Sequence, residues 1–375
     1  MARVKKNKLK KSIKIGIVLV ILIVVAISIP FGIRFYKENK LRTLKYSDKA
    51  ITSILKYKKD AYIEKVGYLD TLNFAFESPD FKVENLEHYQ NIAYNSQPDL
   101  IKNINILIEK DYSDKEISLL VKQSTNESLT EFAKRDAVDD VQDYFVYDYS
   151  KLEYYDRYVA YQIKEREDEE TTVTYVNIGL DKPFYENPVI INEYSETMLA
   201  NKYRQLSEDY EPDVVKIDQE YCVDDEKQYA TEVVKNAFQT MADDASKENL
   251  HILVNSSYRS YKEQQEIYDL YKKDYGETYA ENTAARPGFS EHQTGLVIDI
   301  AAKGYNVFKD SKEYTWVKDN CYKYGFVLRY PAGKQNITGY RNEPWHYRYV
   351  GVEIATYIHE HNITFDEYFV QFLDK

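Results

Sequence analysis

The chain has 375 residues, a net charge of −12 at pH 7, 38 tyrosines, 12 glycines, 9 prolines and two cysteines. That length allows two domains with a core in each, and sparse glycine and proline with mixed charge mean that most of it folds. The acidic excess argues against nucleic acid as a partner, which needs a basic face, and two cysteines without a Cys-x-x-Cys exclude a four-cysteine metal cluster.

Charge is distributed unevenly. Residues 1–45 hold twelve Lys/Arg against the single acid Glu38, a net of +11, leaving −23 for residues 46–375. From Ile15 to Ile33 run nineteen uncharged residues, mostly Ile, Val and Leu. At about 1.5 Å rise per residue that run spans a hydrocarbon core of about 30 Å. Seven basic residues precede it with no acid among them. The positive-inside rule therefore predicts a cytoplasmic tail (1–14), a single transmembrane helix (15–33) and a body outside the cytoplasmic membrane. A cleaved signal peptide ending near Ala26-Ile27-Ser28 is the competing reading, but the run is long for an apolar region of about 7–15 residues.

Residues 34–60 continue in helical character as a juxtamembrane stalk, and 34–200 are read as stalk plus a mixed α/β accessory domain. Ser113-Asp114-Lys115-Glu116 fits a helix start. The tyrosine-rich stretch 144–164 shows partial period-two alternation and suggests β-structure. The acidic run Glu165–Glu170 then reads as a hairpin tip before a strand at Thr171–Ile178. The high tyrosine content favours wet aromatic grooves and amphipathic packing.

A domain boundary is expected near 200, with the second domain over 201–375. A helical face begins around Glu226 and runs through Ala230, Val233, Val234, Ala237, Phe238, Met241 and Ala242. A short strand follows at His251–Asn255, then a helix at Lys262–Lys273 capped by Ser260 with Glu263 three residues on. Strands are expected at Gly295–Ala301, Gly325–Leu328 and His346–Val350, and a helix at Val352–Glu360. The fold class is α+β, a small mixed or antiparallel sheet flanked by helices. Cys222 and Cys321, 99 residues apart, are expected as free, partly buried thiols rather than a disulfide.

The chemistry concentrates in three places. Ser290-Glu291-His292-Gln293-Thr294-Gly295 leads to Asp299, and Glu343-Pro344-Trp345-His346 follows some 45 residues later. A catalytic zinc takes three protein ligands and keeps an open position for water, and His292, Asp299 and His346 are the available set. Alternation would turn Val297 and Asp299 to one face of a strand and Ile298 and Ile300 to the other. A carboxylate there is costly to desolvate without a cation or donors. An aspartate bonded to backbone amides at a strand end fits the spacing as well. Glu343 is a candidate proton acceptor or a plain surface acid. Arg259 is a candidate for holding a carboxylate or an oxyanion, or a structural ion pair. His88, His251, His359 and His361 are read as surface or structural histidines, since residues two apart on a helix share no face. No His-Glu-x-x-His, Gly-x-Ser-x-Gly, P-loop or dinucleotide fingerprint occurs.

Three blocks carry a family resemblance: Ser257-Tyr258-Arg259-Ser260-Tyr261 with Gln264, Ser290-Glu291-His292-Gln293-Thr294-Gly295-Leu296 with Asp299, and Glu343-Pro344-Trp345-His346-Tyr347-Arg348-Tyr349-Val350-Gly351. Their order and spacing resemble the VanY-like zinc D-alanyl-D-alanine carboxypeptidases, a family that includes L,D-carboxypeptidases of Gram-positive cell walls. The likeness covers about 200–360, and 171–215 resembles the segment that precedes such domains. That family usually has alanine where this chain has Val297.

The resemblance implies one zinc ion per domain held by His292, Asp299 and His346. It implies Glu343 as catalytic base and Arg259 as the residue facing the attacked carbonyl. Gln264 and Ser290 would contact substrate, with Trp345 as a pocket wall. The substrate class implied is peptidoglycan stem peptides ending in D-alanine, outside the membrane. L,D-cleavage of tetrapeptide stems, endopeptidase action and a non-catalytic zinc-containing peptidoglycan-binding module are the alternatives. A binding module, however, would need neither Glu343 nor Arg259.

Overall fold

A single uninterrupted helix, α1 (Ala2–Thr43), carries the apolar run and the beginning of the expected stalk. The computed structural model describes residues 2–223 and 227–374, and side chains from residue 14 onward. The six basic side chains from Arg3 to Lys11 thus lie outside the described residues. Within Lys14–Thr43 an apolar window reaches a mean hydropathy of 2.9, long and apolar enough to cross a membrane. The chain divides into two units, 1–153 and 154–375.

After α1, the first unit is a stack of short helical hairpins. Helices α2 (Asp48–Lys56), α4 (Asp70–Glu77), α6 (Leu100–Glu109) and α8 (Asn126–Lys134) alternate with α3 (Asp60–Val66), α5 (Leu86–Asn91), α7 (Asp114–Lys122) and α9 (Val141–Phe145). α2 packs on α4 and α6 on α8, while α5 packs on α7 and α7 on α9. Polar side chains step from one hairpin to the next at a nearly constant sequence separation. Ser47 N donates to Asn73 Oδ1 and Asn95 Nδ2 to Val121 O, each 26 residues apart. Gln97 Nε2 to Ser124 O, Asn103 Nδ2 to Thr130 Oγ1 and Lys115 Nζ to Gln142 Oε1 are each 27 apart. This is repeat architecture, in which each unit buries its apolar face only against its neighbours. Ile54, Leu72, Ile104, Leu107, Leu120 and Leu129 supply that buried face. The helix start expected at Ser113 is present, with Ser113 and Glu116 forming a reciprocal capping box.

The expected β-structure of the accessory region is replaced by helix; among the described residues before Val189 there is no strand. The stretch 144–164 instead ends in α10 (Tyr155–Glu165), whose buried Tyr155 and Tyr158 lie three apart on one face. The run Thr171–Ile178 lies in α11 (Glu169–Ile178). Its β-branched residues favour a strand locally, but both ends are capped. The Asp168 carboxylate accepts from Thr171 N, and Gly179 closes the helix with φ 107°. The acidic run is therefore a turn between helices rather than a hairpin tip. Both helices belong to the second unit, which begins at Tyr154.

Two minor pairs precede the main sheet of the second unit: β1 (Val189–Ile191) with β2 (Arg204–Leu206), and β3 (Val215–Lys216) with β4 (Tyr229–Ala230). The main sheet holds β5 (Ile252–Ser256), β6 (Val297–Ala302), β7 (Phe326–Leu328) and β8 (His346–Tyr349). Its order is β5-β6-β8-β7 with every pair antiparallel. The helix expected from around Glu226, itself outside the described residues, forms as α12 (Glu232–Lys247) and starts later than expected, because Ala230 lies in β4. α12 packs Val234, Phe238, Met241 and Ala245 onto Val254, Ile298, Ile300, Phe326 and Tyr347 in one core. Cys222 and Cys321 are free and buried in that same core. α13 (Tyr261–Tyr275) begins with the expected box of Ser260 and Glu263, and α14 (Glu277–Thr283) packs against it. α15 (Lys312–Asn320), α16 (Gln335–Thr338), α17 (Val352–His361) and α18 (Phe365–Tyr368) complete the unit. His251 lies just outside β5 with its side chain exposed, so it is no core histidine.

Candidate metal centre

Register explains why two candidate ligands meet. Asp299 on β6 stands directly opposite His346 on β8, and Val297 opposite Arg348. The two-residue period sends Asp299, His346 and Arg348 to one side of the sheet. Ile298, Ile300 and Tyr347 go to the apolar core on the other. The same strands thus build a hydrophobic face and a polar one.

His292 arrives from a different element, the 3₁₀ turn Glu291–Thr294. Ser290 Oγ accepts from His292 N at 3.3 Å, and Gly295 ends the turn with φ 68°. A Cβ at Gly295 would come within 3.0 Å of Val214 Cγ1, so glycine is required both for the backbone and for space. His292 Nδ1 lies 2.6 Å from the carbonyl of Ser257 and donates to it. That bond leaves Nε2 as the free lone pair, 3.5 Å from Asp299 Oδ2. His346 Nδ1 lies 3.2 Å from Asp299 Oδ1.

The ligand atoms of His292, Asp299 and His346 lie within 4.8 Å of one another, and all three residues are buried. Asp299 Oδ1, the atom nearest His346 Nδ1, is buried without a hydrogen-bond partner. Tetrahedral zinc with bonds of about 2.0–2.1 Å sets neighbouring donors roughly 3.3 Å apart. The 3.2 and 3.5 Å separations match that edge length. The residues present therefore fit a divalent zinc-type ion.

Around the three lies a pocket of about 390 Å³ lined also by Arg259, Gln264, Ser290, Glu343 and Trp345. Every site residue read from the sequence is thus brought together. Glu343 Oε2 lies 3.6 Å from His346 Nδ1. Burial pushes the Glu343 carboxyl up to about 7, with Asp299 adding to it and His346 opposing. Arg259 is half-buried, and desolvation of its guanidinium lowers its pKa against the pull of Asp299 and Glu343. Its Nη1 donates to Gln264 Oε1 at 2.6 Å, while Gln264 Nε2 donates to Ala285 O at 2.7 Å. Gln264 thus lines the pocket with both amide ends engaged, and it aims Arg259. Trp345 serves two surfaces, lining the pocket and packing against the core.

Sequence reasoning passed over the charges behind the ligands. Glu291 is buried, 3.7 Å by Oε2 from His346 Nε2. Its Oε1 accepts from Arg329 Nε at 2.9 Å and Arg348 Nη1 at 3.2 Å. Arg329 also pairs with Asp366, at 2.5 Å from Nη1, and Asp366 accepts from Asn201 Nδ2 at 2.8 Å. Burial opposes ionisation of Glu291, but the two guanidinium groups hold its carboxyl down to about 2. Two signals were available: Glu291 adjoins His292, and Arg348 is two residues beyond His346 on the same strand face.

Two imidazoles, a carboxylate, a nearby buried acid and a guanidinium around one pocket are the constituents of a mononuclear hydrolytic metal site. The family model described as "VanY: D-alanyl-D-alanine carboxypeptidase" matches residues 227–352, the stretch that contains this whole set. The chain belongs to the VanY-like carboxypeptidase family through that domain. It is 42% identical to the "Putative carboxypeptidase YodJ" of Bacillus subtilis (strain 168) over 179 residues, 46% of this chain and 66% of that protein. It is 41% identical to a D-alanyl-D-alanine carboxypeptidase of Enterococcus faecalis (strain ATCC 700802 / V583) over 139 residues, 35% of this chain and 52% of that one. The chain spans about half to two thirds of the length of the curated relatives it matches. Among solved structures, the LdcB LD-carboxypeptidase is 41% identical, with 46% of this chain and 85% of that one covered and a TM-score of 0.44. A vancomycin resistance D,D-pentapeptidase VanY mutant in complex with Zn(II) is 33% identical, with 46% and 98% covered and a TM-score of 0.42.

Proposed function

We propose that this chain is a membrane-anchored zinc carboxypeptidase that removes the C-terminal D-alanine from peptidoglycan stem peptides. The observation that carries the reading is the convergence of His292, Asp299 and His346 in one pocket with Glu343 and Arg259. Relatives named D-alanyl-D-alanine carboxypeptidase support the bond and the leaving group. The apolar helix and the basic residues before it support an extracytoplasmic domain on a single-pass anchor.

His292 Nε2, Asp299 and His346 Nδ1 would hold the ion. Bound there, zinc supplies Lewis acidity and a water pKa lowered from 15.7 toward about 7. Glu343 takes a proton from the attacking water and later delivers it to the departing amine. Its carboxyl, pushed up to about 7 by burial, is matched to exchanging a proton near neutrality. Arg259, aimed by Gln264, faces the charge that develops on the penultimate carbonyl oxygen. Water adds to that carbon, the C–N bond breaks, and the products are a shortened peptide and free D-alanine. A tetrapeptide substrate would use the same residues, because the leaving group is the same.

The test is to incubate the full chain, in detergent with zinc, with pentapeptide and with tetrapeptide stems, and to weigh the products. Release of D-alanine from the pentapeptide is expected. Release only from the tetrapeptide reassigns the enzyme as L,D-specific, and release from neither overturns the enzymatic reading.

A further inference from the structure

A second groove, of about 820 Å³, opens beside the metal pocket. The two share Thr283, Tyr340 and Arg341 in their linings. An aromatic path joins them. Tyr271 lines the metal pocket, and its ring centroid lies 6.1 Å from those of both Tyr275 and Tyr279. Tyr275 and Tyr279 line the second groove 4.8 Å apart and remain 63% and 41% exposed.

Phe184, Gly339 and Tyr340 also line the groove, and Lys202 packs against them. Lys202 is buried, with its ammonium 4.6 Å from the Phe184 ring and 4.5 Å from the Tyr340 ring. It is tethered by donation to Glu281 O at 3.0 Å. A Cβ at Gly339 would press within 3.1–3.2 Å of Lys202 and Phe184, so the wall leaves no space for a side chain there. Asn282, whose Nδ2 donates to Thr278 O at 2.7 Å, and Gln335 line the same groove, and among the described residues no carboxylate does.

We infer that this groove is a saccharide subsite, which holds the sugar of the glycan to which the substrate peptide is joined. The inference rests on the proposed function, because continuity with the metal pocket is what ties the groove to substrate. A stem with its C-terminal bond at the ligands extends three or four residues toward its sugar, about 10–14 Å at 3.3–3.6 Å per residue. Sugar rings present C–H faces that pack on exposed aromatic rings, and hydroxyls that need amide partners. Tyr275 and Tyr279 offer the first, Asn282 and Gln335 the second. Arg341, at the junction, supplies a cation for a carboxylate of the connecting peptide.

The experiment compares a free pentapeptide stem with the same stem carrying its N-acetylglucosaminyl–N-acetylmuramyl disaccharide. The full chain is used, as wild type and as the Tyr275→Ala/Tyr279→Ala double variant. Wild type should show a KM about tenfold lower for the disaccharide substrate, roughly 1.4 kcal/mol of extra binding. The double variant should lose that advantage and keep its kcat/KM on the free peptide within about twofold. Equal KM values in wild type, or equal losses on both substrates, would overturn the subsite. Tyr279→Phe, which keeps the ring, should behave as wild type and separates loss of stacking from misfolding. If wild type cleaves neither substrate, the proposed function fails. Titration with the disaccharide alone, followed by tyrosine fluorescence, still decides the subsite: saturable quenching absent from the double variant supports it, and no quenching overturns it.

Discussion

Glu291 Oε2 lies 3.7 Å from His346 Nε2, on the far side of the imidazole from Asp299. At that distance the carboxylate acts on the proposed ligand through its charge rather than a hydrogen bond, and raises the basicity of the imidazole. Glu291 in turn is held by Arg329 and Arg348, so the proposed ligand His346 stands beside a buried ionic network.

Glu291→Gln keeps the shape and removes the charge. Zinc affinity, measured by competition with a chromophoric chelator, should fall about 10–100-fold. The two arginines left without their carboxylate should also lower stability by about 3–5 kcal/mol. Unchanged zinc affinity beside lowered stability would mean that Glu291 serves the arginines alone.

Glu343→Gln removes the proton carrier from a pocket whose ligands are untouched. Zinc content by metal analysis should match wild type, while kcat drops about 10²–10⁴-fold. Loss of zinc would show Glu343 to be a ligand.

Arg259→Lys keeps a positive charge but not the planar fork that reaches Gln264 and, at 3.4 Å, Ser256. A fall of about 10²–10³-fold in kcat is expected with KM changed little. A rise in KM at constant kcat would instead assign Arg259 to ground-state binding of the peptide's carboxylate.

The two histidines differ in charge before metal arrives. Burial, reinforced by Arg259, lowers His292 to about 3, so it is neutral at pH 7. Burial also disfavours charge on His346, but Asp299 and Glu291 beside it win and raise it to about 9. Zinc binding at pH 7 must therefore expel the His346 proton. Affinity should rise with pH up to about 9 and level off above, with about one proton released per ion at pH 7. Calorimetry in buffers of different ionisation enthalpy reads that number directly, and zero release would refute the assignment.

In the first unit, Asn105 accepts from Asn85 Nδ2 and Tyr89 OH and donates to Asp80 O, all within 2.8 Å. Asn105→Ala strands these buried groups and should destabilise that unit by about 1–3 kcal/mol in chemical denaturation. No change would mean that water replaces the amide.

The candidate metal centre was largely legible in the sequence because its parts are local. The His292 turn, the alternation around Asp299 and the Glu343–His346 spacing each occupy a few residues. α12 was legible from its 3.6-residue period, and α13 from its serine cap. Arg329 and Asp366 were not, since 37 residues separate them and neither sits in a periodic pattern. α11 was misread because Thr171–Ile178 is β-branched, and caps outweighed propensity. The hairpin stack escaped notice because its period lies in polar contacts such as Asn103 to Thr130, not in a recurring apolar word.

That stack has a consequence for how the first unit comes apart. The strongest helix–helix packing of each hairpin is with the hairpins next to it, as α2 on α4 and α6 on α8. Losing one end pair costs one interface and leaves the others standing. Heat or denaturant should therefore peel the row from its ends, while the sheet-centred unit gives way in one step.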